Sequence, residues 1–175
     1  MIQKVIKELE LNRKEMNISK DSIEFISIMC RLTKPKNILE IGTFNGYSAL
    51  YLSQFTEKLI TLEIDKLNIK IAEENFKKAE VKNIEIIEGN AVETIKDLKE
   101  NFDIILIDAM KSQYKQYLEL SLKKLNKNGI IFVDNTISHK EKMKDFFEYL
   151  ERSNLYFKEL NIGKGLMLIT NIAPQ

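Results

Sequence analysis

The sequence predicts an α/β fold in which one mostly parallel sheet is flanked by helices and closed by an antiparallel hairpin. Three observations predict it. Short apolar runs rich in β-branched and aromatic residues recur along the chain, as buried parallel strands require. Longer amphipathic stretches separate them, and strand–helix alternation implies right-handed crossovers between parallel neighbours. The chain then ends in two apolar runs around a glycine-containing turn, the pattern of a hairpin.

Taken in order, residues Val5–Glu15 and Lys20–Leu32 read as helices, with Ser19 placed to cap the second and Pro35 marking its end. The strand runs are Asn37–Ile41, Lys58–Glu63, Ile84–Glu88, Phe102–Ile107 and Gly129–Val133. Between them, Tyr47–Gln54, Leu67–Ala79, Ala91–Lys99 and Gln113–Leu125 carry helical periodicity. In Leu67–Ala79 the expected inward face is Ile71, Phe76 and Ala79, leaving Glu73, Glu74, Lys77 and Lys78 in water. A helix over Lys140–Arg152 precedes the terminal hairpin, Leu155–Leu160 and Leu166–Thr170. Two prolines and six glycines leave little room for linkers, so 1–175 is expected to form one domain, with N-terminal helices over 1–34 and the α/β core over 35–175.

Composition narrows the function classes. Lys and Arg number 27 against 26 Asp and Glu, a net charge of +1, which gives no global electrostatic case for nucleic acid or an anionic membrane. Lysines do cluster locally, at Lys77, Lys78 and Lys82, at Lys123, Lys124 and Lys127, and at Lys140, Lys142 and Lys144. No apolar run approaches the ~18 residues of a membrane span, and the charged amino-terminal segment does not read as a secretory signal. Cys30 is the lone cysteine, which suits the reducing cytoplasm, and it reads as a small buried apolar residue. With His139 the only histidine, a metal would be held mainly by oxygen, which points to a hard cation such as Mg²⁺.

The candidate chemistry sits at strand ends. After the first strand, Gly42 and Gly46 let the backbone turn sharply and a ligand approach, but Phe44 breaks the dinucleotide spacing G-x-G-x-x-G. Glu40 beside that loop repels a pyrophosphate and favours a cationic sulfonium or ammonium. Glu63 lies roughly 20 residues beyond Gly42, the distance at which a carboxylate accepts hydrogen bonds from ribose hydroxyls, with Asp65 as the spare or as a helix cap. The loop Gly89-Asn90-Ala91 is placed to face an adenine. Asp108, Asp134 and Asn135 follow two further strands and offer three oxygens to one cation; a helix cap and a simple turn would explain them as well.

The segments ILEIGTFNGYSALYL, ITLEIDKLNIKIAEENFKKA, IIEGNA, FDIILIDAMKSQY and NGIIFVDNT resemble the cation-dependent O-methyltransferase family, which includes catechol and caffeoyl-coenzyme A O-methyltransferases and small prokaryotic members. The likeness runs in matching order from about residue 18 to 171. It implies a Rossmann-like class I methyltransferase fold with seven strands, the last antiparallel, and S-adenosyl-L-methionine as cofactor. It places Glu40, Gly42, Gly46 and Ser48 along the cofactor's methionine end, Glu63 on the ribose and Gly89, Asn90 and Ala91 at the adenine. Asp108, Asp134 and Asn135 fall on the family's metal ligands, Asp108 also touching the cofactor, and Lys111 falls on the general base. The implied reaction is methyl transfer to a hydroxyl of a small, catechol-like acceptor with Mg²⁺ assistance.

This chain departs from the pattern in places. Asn90 stands where an acid is common, and Met167 where catechol methyltransferases carry a glutamate that grips the second hydroxyl. The N-terminal helices are short and no long insertion follows Asn135, which implies a more open acceptor site or one completed by a second subunit, as in a homodimer. Met110 and Tyr114 are placed to flank the acceptor, Phe44 and Tyr47 to wall the cofactor, and His139 to reach substrate; each of these has a packing or surface reading too. Three other readings stay open on the sequence: a metal-independent methyltransferase, a tRNA-modifying enzyme acting on a hydroxylated base, and a nucleotide-binding module without activity.

Overall fold

The first strand, β1 (Asn37–Ile41), sits mid-sheet because its residues bury both faces: Ile38, Leu39, Glu40 and Ile41 are all fully buried. It pairs in parallel with β2 (Lys58–Glu63) on one side and β4 (Phe102–Ile107) on the other. Outward from these lie β3 (Ile84–Glu88) and β5 (Leu125–Asp134), also parallel. The hairpin strands β6 (Tyr156–Leu160) and β7 (Leu166–Thr170) complete a seven-stranded sheet of order β3-β2-β1-β4-β5-β7-β6, with β7 antiparallel to both its neighbours. The computed structural model describes residues 1–171; the last four residues of the expected domain lie outside the described range.

Alternation along the strands splits the core into two layers. Ile38, Leu59, Ile104, Leu106 and Phe132 face α1 (Ile2–Leu11), α2 (Lys20–Thr33), α3 (Tyr47–Leu52) and α4 (Lys66–Ala79). Leu39, Ile41, Ile105, Ile107 and Val133 face α5 (Ala91–Asp97), α6 (Tyr114–Lys124) and α7 (Lys144–Arg152). Ser19 caps α2 as expected, accepting from the Ser22 amide at 3.0 Å.

Four local expectations are corrected. Helix α1 stops at Leu11 because the Asn12 amide and side chain both turn back onto the Glu8 carbonyl. The segment that follows, expected to continue the helix to Glu15, instead loops over the ends of the strands. Strand β5 begins at Leu125 rather than Gly129, held by the Leu125–Phe102 pairing and by Asn126 Nδ2 donating to Asp103 at 2.7 Å. The helix expected over Lys140–Arg152 breaks at the buried Met143, which separates a 3₁₀ turn (Lys140–Lys142) from α7. Helix α4 is rotated so that Ala72, Asn75, Phe76 and Ala79 face inward while Ile71 is 38% exposed. Asn75 is drawn in because its amide donates to the Asn45 carbonyl at 2.9 Å.

Candidate active site

The carboxyl ends of the parallel strands open into a cavity of about 590 Å³, at the place where ligands of open α/β sheets bind. The β1 tip shapes its floor. Gly42 adopts φ 101, and a Cβ there would stand 2.2 Å from the Asp108 carbonyl, so glycine lets the tips of β1 and β4 touch. Phe44 follows with φ 49, which turns its amide onto Glu63 Oε2 at 2.8 Å. Glu63 Oε1 accepts from the Ile64 and Asp65 amides, so backbone donors orient this carboxylate on the cavity wall. Asp65 itself caps α4 through the Leu67 and Asn68 amides and is not on the wall; the capping reading holds for it.

Gly42, Ser48, Glu63, Gly89, Asn90 and Ala91 all line this one cavity. Asn90 also caps α5, its Oδ1 accepting from the Val92 amide at 3.0 Å and its carbonyl from Glu93 and Thr94, which leaves its side-chain NH₂ to meet a ligand. Two expected cofactor residues are not on the wall. Gly46 makes room for α4 instead, since a Cβ there would lie 2.5 Å from the Phe76 ring. Glu40 lies beneath the floor, fully buried, because its Oε2 is drawn to the Thr61 hydroxyl at 2.6 Å, which in turn meets Thr43. Its Oε1 has no hydrogen-bond partner among the described residues. Burial pushes the Glu40 carboxyl up to about 7; the neighbouring Ser48 and Thr61 hydroxyls act the other way.

At the other end of the cavity the β4 and β5 tips converge. Asp108 Oδ1 accepts from Lys111 Nζ at 2.9 Å and from Asn135 Nδ2 at 3.0 Å. Asn135, held at φ 69, also donates to Asp134 Oδ2 at 2.6 Å. Asp134 is fully buried, behind the wall rather than on it, and takes a further bond from Ser22 on α2 at 3.3 Å. Burial first, then the charge of Asp108, pushes the Asp134 carboxyl well above the usual carboxylate range. Lys111 opens the turn after β4, largely buried, with its ammonium 5.1 Å from the centre of the Tyr114 ring.

This donor set fits a hard divalent cation. Among the described residues no three His, Cys, Asp or Glu side chains gather; the group is two carboxylates and an amide, whose oxygen replaces its nitrogen on half a turn about the Cβ–Cγ axis. A cation among them relieves the repulsion between two sequestered carboxylates.

Several neighbours differ from expectation. Tyr114 is buried in the core and its hydroxyl has no hydrogen-bond partner among the described residues; Tyr117, one turn on, reaches the wall instead. Phe44, Met110 and His139 line the cavity, while Tyr47 is tied away from it by Glu10 and Arg13. Met167 is buried beside Val133 in the sheet. The sequence reading missed the loop between α1 and α2, whose Met16, Asn17 and Ile18 cover the cavity, and Lys164 in the hairpin turn. Asn17 pairs with Asn45 at 2.7 Å, and Lys164 Nζ donates to the Glu15 carbonyl at 2.8 Å. The glycines flanking Lys164 were the available signal: a Cβ on Gly163 would strike Ser19, and one on Gly165 would strike Ile137.

A family model described as O-methyltransferase matches residues 2–162. The catechol O-methyltransferase of Niastella koreensis is 32% identical over 130 residues, 70% of this chain and 59% of that protein. Tapetum-specific methyltransferase 1 of Arabidopsis thaliana is 30% identical over 184 residues, 90% of this chain and 78% of the relative. This chain thus spans about three fifths of the first relative's length and about four fifths of the second's. The crystal structure of the SAH-bound Podospora anserina methyltransferase PaMTH1 superposes with a TM-score of 0.86 at 27% identity, covering 96% of this chain and 86% of that one.

Proposed function

The chain belongs to the O-methyltransferase family and has its class I methyltransferase fold, and from that premise we propose that it transfers a methyl group from S-adenosylmethionine to a hydroxyl oxygen of a small acceptor, assisted by a divalent cation. One observation carries the reading. A single cavity joins a carboxylate oriented by backbone amides, Glu63, to an oxygen-rich cluster at Asp108 and Asn135, with Lys111 beside it.

The residues divide the work along that cavity. Glu63 accepts from the ribose hydroxyls, and Gly89 to Ala91 present backbone and amide groups to the adenine edge. Gly42 and Ser48 border the methionine end, with the Glu40 carboxyl beneath them favouring the sulfonium charge. Asp108, Asp134 and Asn135 hold the cation, which when bound supplies Lewis acidity and a template to the acceptor hydroxyl. Lys111 Nζ sits at the reacting end beside Asp108 and, as the neutral amine once Asp108 is engaged by a cation and the lysine's own proton has left to solvent, would take the acceptor's proton. The loop over Met16–Ile18 excludes water, and orientation of donor and acceptor supplies most of the rate.

The test is transfer of labelled methyl from S-adenosylmethionine to catechol. We expect turnover with Mg²⁺, loss of about a hundredfold or more in EDTA, recovery on adding Mg²⁺ back, and the same loss in Asp108→Ala. Full activity in EDTA overturns the cation's role, and no transfer to any hydroxyl acceptor overturns the reading.

A further inference from the structure

Resting on the cation's role proposed above, we infer that Ser22, outside the cavity lining, is a positioning residue of the cation site: its hydroxyl fixes the Asp134 carboxylate so that one oxygen is left for the metal. Ser22 lies in the first turn of α2, fully buried, and its Oγ donates to Asp134 Oδ1 at 3.3 Å. The residue behind it sets the direction of that bond. An amide only donates, so Ser19 Oγ accepts from the Ser22 N–H at 3.0 Å and keeps its own proton for Ser22 Oγ, at 2.7 Å. Ser22 Oγ accepts there and gives its proton to the carboxylate.

Nothing within the helix requires a hydroxyl at this position. The cap uses only the Ser19 oxygen and the Ser22 backbone, and alanine is the better helix former. Elsewhere on α2, Ser27 and Thr33 turn their hydroxyls back onto carbonyls one turn earlier, Ile23 at 2.7 Å and Met29 at 2.8 Å. The equivalent acceptor for Ser22 is the Ile18 carbonyl, which already takes a bond from the Arg13 guanidinium. Gly163 lets the β6–β7 turn close over the serine pair, since a Cβ there would stand 2.7 Å from Ser22 Oγ and nearer still to Ser19 Oγ.

The consequence falls on Asp134. Ser22 holds its Oδ1, and Asn135 Nδ2 holds its Oδ2 at 2.6 Å. When the Asn135 amide turns its oxygen to a cation, Oδ2 loses that donor while Oδ1 keeps Ser22. The carboxylate stays restrained about its Cβ–Cγ axis with Oδ2 free to ligate. Donors placed behind a ligand in this way orient it, and their loss costs about 10–100-fold in metal affinity.

The experiment titrates Mn²⁺, a spectroscopic stand-in for Mg²⁺ at an oxygen site, into the protein with saturating SAH and reads the free ion by electron paramagnetic resonance. Calorimetry without metal measures SAH affinity separately. We expect Ser22→Ala to weaken Mn²⁺ binding by about tenfold or more while SAH binds as before, because the residue-22 amide still completes the cap. Ser19→Ala, one bond further back, weakens Mn²⁺ less. Ser27→Ala is the control: it removes a buried hydroxyl spent inside the same helix and leaves both affinities unchanged. Mn²⁺ affinity untouched in Ser22→Ala, lost as much in Ser27→Ala, lost more in Ser19→Ala, or falling in step with SAH affinity overturns this inference and leaves the methyl-transfer reading standing. No Mn²⁺ binding by the unaltered protein overturns the cation's role itself.

Discussion

Replacing Gly42 with alanine tests how the fold builds the site. Two costs add at this position. Alanine at φ 101 occupies a region that L side chains rarely adopt, a strain of about 1–3 kcal/mol. Its Cβ would lie 2.2 Å from the Asp108 carbonyl oxygen and 2.9 Å from its carbon, both backbone atoms that cannot swing aside. Relief requires the β1 and β4 tips to part, straining the 3.0 Å bond from the Asp108 amide to the Ile41 carbonyl, and overpacking of this kind costs about 1–3 kcal/mol more. The sum of about 2–6 kcal/mol lowers Tm by roughly 10 °C in a chain of this size. Because the displaced group is Asp108 itself, affinity for SAH should fall with it. Gly129→Ala is the control: its Cβ would meet chiefly the movable Leu125 side chain, at 2.7 Å, without a positive φ, so the loss should be much smaller. Differential scanning calorimetry and SAH titration read both effects. Gly42→Ala melting within about 2 °C of the unaltered protein, or no lower than Gly129→Ala, would refute the reasoning.

Three other outcomes follow from named groups. Glu40 has its folded pKa raised to about 7 from 4.5, so it stabilises the fold most below the lower value, and that advantage is lost as pH rises through the higher one. Glu40→Gln should therefore gain on the unaltered protein by up to about 3 kcal/mol between those pH values in urea unfolding, and parallel pH profiles would contradict it. Asp103 behaves oppositely: burial acts to raise its pKa, but bonds from Asn126, Asn37 and Lys36 outweigh it and lower the value, so its contribution is present above the unfolded pKa and lost as pH falls through the folded one. Asp103→Ala should cost about 2 kcal/mol at neutral pH, and much less in acid, by the same unfolding measurement. Lys111→Met should lower kcat for methyl transfer by about 10²-fold or more while SAH binds as before; an unchanged kcat removes the residue from the chemistry.

How much of this was legible in the chain depends on how local the signal was. Strands β1 to β4 and β7 fall where their β-branched runs begin and end, because each run's own apolar, β-branched residues mark the strand without help from distant partners. The polar groups at the strand tips were legible for a related reason: Asp108 and Asn135 directly follow such runs, where the sheet delivers them to one place. What failed was set by distant partners. Ile71 carries the periodicity of an inward residue, yet the Asn45 carbonyl takes Asn75 and the space left by Gly46 takes Phe76, and α4 turns accordingly. The cover over the cavity joins Glu15 to Lys164 across almost the whole sequence, and no pattern within either segment announces the other. Glu40 and Asp134 were placed at the right tips, but whether each faces ligand or core depends on Thr61, Ser22 and Asn135, which only the fold brings beside them.

The central claim is that the strand-tip cavity holds a cationic methyl donor with Glu63 on its ribose. Calorimetric titration of S-adenosylmethionine and of NAD, each against the unaltered protein and Glu63→Ala, tests it most directly. The account predicts saturable binding of S-adenosylmethionine that weakens at least tenfold in Glu63→Ala, and no comparable binding of NAD. Tight binding of NAD with no heat from S-adenosylmethionine would contradict it.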